Sequence, residues 1–168
     1  MTAQFGERLI FEGRDMAMFS EPLGDYFALG GSNPEFEFTC TALWRGYVGT
    51  WEIVNDRLYM VGLTGTLKDG TKATLETVFP GYPDRVFAHW YSGTLQLPEG
   101  VLLEYVHMGY SRTFERDRLL KIRNGILVSS HVRHNGDGDA GDGDNPEGHD
   151  SGAMSASSKS TGNGDDTQ

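Results

Sequence analysis

Between Phe36 and Ala42 the chain alternates strictly. Phe36, Phe38, Cys40 and Ala42 fall on one side, and Glu37, Thr39 and Thr41 on the other. A period of two predicts a strand with one wet face. Short apolar runs recur through the first 133 residues, bounded by residues with turn chemistry. Asn124-Gly125, between residues 119–123 and 126–130, predicts a two-residue hairpin, because a type I′ turn needs positive φ at both central positions and Asn and Gly tolerate it. Asn55-Asp56, between residues 50–54 and 57–63, reads the same way, as does Asp69-Gly70 with shorter arms. Residues 8–12 and 16–19 form a further pair around Gly13.

Pro98-Glu99-Gly100 predicts a three-residue hairpin loop with arms over 85–97 and 101–114, Pro presetting φ and Gly taking a left-handed position. Within residues 57–63, Leu58 and Met60 point one way and Tyr59, Val61 and Leu63 the other, so both faces ask for cover. Ser20-Glu21-Pro22 opens one short helical turn running to Leu29, since Pro suits a helix start. The expected fold is all-β: an antiparallel meander of about 8–10 short strands forming a roll, barrel or sandwich.

That patterning stops near His134. Residues 134–168 contain no Val, Ile, Leu, Phe, Tyr or Trp, whereas all 19 aromatic residues lie at or before Phe114. A segment of Gly, Asp, Ser and Asn buries too little apolar surface to offset the entropy of ordering it. The expected organisation is one domain over 1–133 and a disordered acidic tail over 134–168. The tail holds eight acids and one Lys, so most of the net charge of −10 belongs to it. The body has 13 Lys and Arg against 16 Asp and Glu, which argues against a nucleic-acid partner because no broad basic face is in prospect. Glu7 and Arg8 interrupt the apolar run a signal peptide needs, and 18 consecutive apolar residues occur nowhere. Secretion and membrane spanning are therefore not expected. The single cysteine, Cys40, excludes an internal disulfide and fits a cytoplasmic location.

The Trp- and Gly-rich runs at 43–53, 87–93 and 104–110 carry a resemblance to small uncharacterised bacterial proteins over most of the body. The resemblance implies a bacterial cytosolic protein and brings no activity or catalytic residues.

With a turn at Pro98-Glu99-Gly100, Phe87, His89, Tyr91, Leu103, Tyr105 and His107 share one face, an aromatic and imidazole surface on which a ligand could lie. The same residues also suit a core edge with each imidazole hydrogen-bonded. His89 and His107 are the catalytic candidates. They sit diagonally and lack a third ligand for zinc, so no metal or cofactor is expected, and as an acid Glu104 points to the opposite side of the strand from His107. The Asn55-Asp56 register pairs Trp51 with Met60 and Gly49 with Gly62, leaving a notch in which Trp51 either stacks a ring or fills the core, with Trp44 and Arg45 as a rim. Cys40 suits an inert, buried role. The basic run Arg112, Arg116, Arg118, Lys121 and Arg123 is interrupted by Glu115 and Asp117 and reads as an ion-paired edge. The tail stretch 137–144 fails the EF-hand template, because Gly141 falls where an oxygen ligand belongs.

No nucleophile, phosphate loop or ligand triad accompanies these aromatics. The sequence therefore favours a non-enzymatic β domain that binds a small molecule or a protein, with binding candidates Tyr91, Tyr105, Trp51, Trp44 and Arg45. The alternative is a small enzyme acting on a neutral metabolite or sugar through His89 and His107. Exposed strand edges allow a homodimer.

Overall fold

The structure, a computed structural model, describes residues 3–105 and 112–135, with backbone alone over 101–105 and 112–113. Nine strands form one sheet among the described residues: β1 (Glu7–Phe11), β2 (Arg14–Met18), β3 (Tyr47–Val54), β4 (Arg57–Thr66), β5 (Lys72–Ala73), β6 (Val86–Phe87), β7 (Gly93–Tyr105), β8 (Arg112–Arg123) and β9 (Ile126–His134). Among the described residues, helix is confined to α1 (Pro22–Ala28), with Pro in its first turn as the sequence predicts, a four-residue α2 (Leu75–Val78) and a single 3-10 turn at Thr41–Leu43. The predicted tight turns are present. Glu12 and Gly13, Asn55 and Asp56, and Asn124 and Gly125 all take positive φ, so three two-residue hairpins of the type I′ kind join β1 to β2, β3 to β4 and β8 to β9. Asp69-Gly70 turns β4 into β5, with Gly70 at φ +85°.

The strand order is β2-β1-β3-β4-β9-β8-β7, with β5 and β6 also on β4. The sheet is mixed rather than a pure meander, because β3 returns beside β1 in parallel after the segment that carries α1. It curls until its ends meet: Phe19 N–H donates to Gln96 O at 2.9 Å, and the Ser20 hydroxyl bonds both Thr94 O and Gln96 N–H at 3.1 Å. These contacts do not make a continuous ladder, so the fold is a roll and not a closed barrel.

Inside the roll, Leu9, Met18, Trp51, Leu58, Met60, Leu95, Leu97, Leu120 and Ile122 are wholly buried, joined by Leu23 of α1 and by Leu75 and Val78 of α2. A bulge decides which residues of β4 join them. Trp51 pairs with Met60 but Thr50 with Gly62, leaving Val61 as the extra residue. Leu63 is thereby carried onto the interior face with Leu58 and Met60, where strict alternation would have turned it away.

Two expected elements differ. Pro98-Glu99-Gly100 does not end a strand: β7 runs straight through it and pairs with β8, Leu95 with Leu120 and Glu99 with Arg116. Gly100 does adopt φ +84°, but it serves a register shift between Glu99 and Leu102 instead of a chain reversal. Residues 36–42 form no strand. Phe36 makes one isolated bridge to Leu67, Phe38 is exposed, and the chain turns into the 3-10 helix before pairing can spread. The expected tail lies outside the described residues apart from His134, which ends β9, and Asn135.

Candidate functional site

The altered path of β7 removes the predicted face. His89 follows the short strand β6 in a turn, while Gly109, His107 and the Tyr105 side chain lie outside the described residues. Tyr91 turns inward and is 6% exposed. Its hydroxyl is pushed up to about 12, chiefly by burial and secondly by the charge of Asp25, so it remains a neutral phenol at ordinary pH.

Trp51 is equally interior and presents no face to solvent. Because of the β4 bulge Gly49 faces Leu63 and not Gly62, so no open notch forms. The space that a Cβ on Gly49 would take is filled by the Glu7 carboxylate and the Trp51 indole. Glu7, 1% exposed, accepts the indole N–H at 2.6 Å and the Arg45 Nε–H at 3.1 Å, and Arg45 also reaches Glu21 at 3.2 Å and Phe5 O at 3.0 Å. Burial raises the Glu7 carboxyl above its usual range, outweighing Arg45, the indole and the Gly49 N–H, which all favour the anion. Arg45 and Trp51 thus belong to an internal tie between β1 and β3. Trp44 points the other way, 75% exposed and edge-on to Phe38 at 6.1 Å. Cys40 is half-buried. In the basic run, Arg116 and Arg118 converge on Glu99 at 3.5 and 2.8 Å with Arg14 at 3.7 Å, whereas Lys121 and Arg123 are exposed.

The aromatic residues gather elsewhere. A groove of about 290 Å³ is lined by Tyr26, Phe79, Tyr82, Val86, Phe87, His89 and Trp90. Its parts come from α1, from the residues after α2, and from β6 and the loop beyond it. Phe79 and Trp90 stack at 5.5 Å with 21° between planes, and Tyr26 closes on both at 4.8 and 5.0 Å. The Trp90 N–H donates to Pro22 O at 2.9 Å, which orients the indole and satisfies its only donor. Gly81, at φ +87°, turns the chain so that Tyr82 stands outward at the rim. Ala88 anchors the opposite wall: it is wholly buried, its N–H bonds Leu58 O at 2.9 Å, and its neighbours Phe87 and His89 face out. Behind that wall, Tyr59 packs on Phe87 at 5.8 Å, and Arg57 and Arg85 lie over the Phe87 and Tyr59 rings.

No carboxylate, Lys or Arg lines this groove. Its polar groups are the imidazole of His89, the phenols of Tyr26 and Tyr82, and backbone. Such a surface can stack a flat or ring-shaped molecule and hydrogen-bond its edge. Of the residues singled out from sequence, only His89 lines it, with Phe87 from the same predicted face. The overlooked signal was Phe79-Pro80-Gly81-Tyr82-Pro83, where Pro and Gly between two aromatics mark a loop that displays rings instead of a strand that buries them. A second cavity of about 270 Å³, lined by Asp25, Ala28, Leu29, Trp90 and Ser92, adjoins Trp90. Among the described residues no three His, Cys, Asp or Glu side chains cluster as a metal site would require, and no helix is long and apolar enough to cross a membrane.

No family model, curated protein or solved structure matches the chain.

Proposed function

We propose that this protein is a non-enzymatic binding domain that takes a neutral, ring-bearing small molecule, a sugar or an uncharged heterocycle, in the groove over Phe79 and Trp90. The observation that carries this reading is the uncharged aromatic lining, in which the Trp90 indole N–H is already satisfied by Pro22 O and leaves an apolar ring in the wall. Aromatic faces favour the C–H surface of a sugar or the π-surface of a heterocycle, and the His89 and Tyr82 rim supplies donors and acceptors for substituents. A charged ligand would find no counter-charge in the lining.

The test is calorimetric titration with methyl glucoside, cellobiose, adenosine and indole, on the wild type and on Tyr82→Ala and His89→Ala. Tyr82 is 57% exposed, so its loss leaves folding intact and weakens binding. Absence of binding across the panel, or binding unaffected by both substitutions, sinks the reading. The enzymatic alternative keeps one support, the exposed imidazole of His89 at the rim. It requires turnover that His89→Ala abolishes while ligand binding persists.

A further inference from the structure

We propose that the free edge of β9 is a docking strand for an extended segment of another protein in which apolar and acidic residues alternate. β9 meets β4 through one rung, Arg57 opposite Ile126, together with Leu127 N–H on Asp56 O at 2.7 Å and Leu58 N–H on Gly125 O at 2.8 Å. Beyond Leu127 it runs past the Asn55-Asp56 turn, where β4 has not yet begun, while the edge of β4 from Tyr59 onward is occupied by β6. Among the described residues, nothing pairs with this side of β9 from Val128 to His134, although its other side is paired with β8 throughout. A row of backbone donors and acceptors left open in this way is a template for an added strand.

The chemistry of the two faces selects the occupant. On the interior face, a cleft of about 370 Å³ opens between β9 and the tips of the two hairpins, with Phe11, Ile53 and Leu127 as its floor and Glu12, Asn55, Asp56 and Ser130 around it. Val132 lies further along that face and is 40% exposed. Side chains of an added strand that point inward therefore meet apolar surface. On the outward face, pairing places Lys121 beside Ser129, Leu119 beside His131 and Asp117 beside Arg133, with Arg123 following on β8. The carboxylates there are Asp117, buried under Arg133 at 2.7 Å, and Glu115, which lies against Gly100 at the far end. Lys121 and Arg123, with Arg133 already paired to Asp117, thus present positive charge to outward-pointing side chains, within reach at ordinary salt, and His131 between them offers a hydrogen-bonding group. A second copy of β9 is the poorer occupant, since its ionisable groups, His131, Arg133 and His134, carry no negative charge to offer.

The probe is a capped, fluorescent peptide of alternating Val and Glu, compared with its Val and Lys counterpart and with a version N-methylated at alternate amides, by anisotropy on the full chain at low salt. The acidic peptide saturates. The lysine and N-methylated peptides bind at least about tenfold more weakly, and so does the acidic peptide to the doubly substituted chain Lys121→Glu, His131→Glu. Tyr82→Ala leaves this binding unchanged, which separates it from the aromatic groove. The proposal is overturned by equal binding of the acidic and basic peptides, by no saturation up to about 1 mM, or by an unimpaired N-methylated peptide. Displacement of the peptide by a short single-stranded RNA that binds more tightly also overturns it, because the face would then be a phosphate-binding surface. Circular dichroism of the doubly substituted chain confirms that a loss of binding is not a loss of fold.

Discussion

The indole N–H of Trp51 donates to the carboxylate of Glu7 across 2.6 Å, inside the roll and with neither side chain open to water. The bond ties the first strand of the sheet to the third and leaves the second oxygen of Glu7 to Arg45. Removing one member of a buried, bonded pair strands the others, at a cost of about 3 kcal/mol. Glu7→Ala should lose about that much in urea denaturation. Glu7→Gln, which retains an acceptor for the indole, should lose about half as much.

The same carboxyl sets a pH dependence. Its folded pKa is raised above the ordinary value of 4.5, with burial as the leading cause. The folded state therefore holds this proton more tightly than the unfolded chain does. The contribution of Glu7 to stability grows as pH falls through the folded pKa, is complete below the unfolded one, and is lost as pH rises again. Relative to Glu7→Gln, the wild type should gain stability as pH is lowered toward 4.5. A difference that shrinks over that range would show that Arg45 and Trp51 outweigh burial.

Gly49 is required by space and not by turn geometry. A Cβ there would stand 2.7 Å from Trp51 Nε1 and press on the Glu7 carboxylate. Gly49→Ala should destabilise by about 1–3 kcal/mol through overpacking and should alter the near-ultraviolet signal of Trp51.

Asn135 closes the last strand. Its amide donates to Asp117 at 2.9 Å and to Phe114 O at 3.1 Å, and its backbone N–H to Glu115 O at 2.9 Å. A chain ending at Arg133 should lose about 1–3 kcal/mol because buried Asp117 forfeits a donor. A chain ending at Asn135 should melt with the full-length protein, because the remaining residues have almost no apolar groups with which to stabilise the body.

Much of the sheet was legible because its turns are chemically explicit. Asn55-Asp56 and Asn124-Gly125 demand positive φ and obtain it. Pro98-Glu99-Gly100 misled because turn chemistry is local. Gly100 has the left-handed backbone that was expected, but the pairing of Leu95 and Leu97 with β8 decides that the strand continues through it. Alternation at Phe36 to Ala42 misled for the opposite reason, since a two-fold pattern makes a strand only where a neighbouring edge is free to receive it. The aromatic groove was almost illegible. Tyr26, Phe79 and Trp90 are far apart in sequence and meet only once α1 is placed over the loop after β6. They share no strand face that a single local hairpin could bring together.

The three indole N–H groups offer the most direct test of the central claim. Trp51 is bonded to Glu7 inside the core, Trp44 is exposed beside Phe38, and Trp90 is held on Pro22 at the floor of the groove. Each should give a separate ¹⁵N–¹H signal. Titration with the neutral sugars and heterocycles should shift the Trp90 signal saturably and leave those of Trp51 and Trp44 in place. Movement of Trp44 alone, or no movement of Trp90 with any member of the panel, would contradict the assignment of the groove as the binding site.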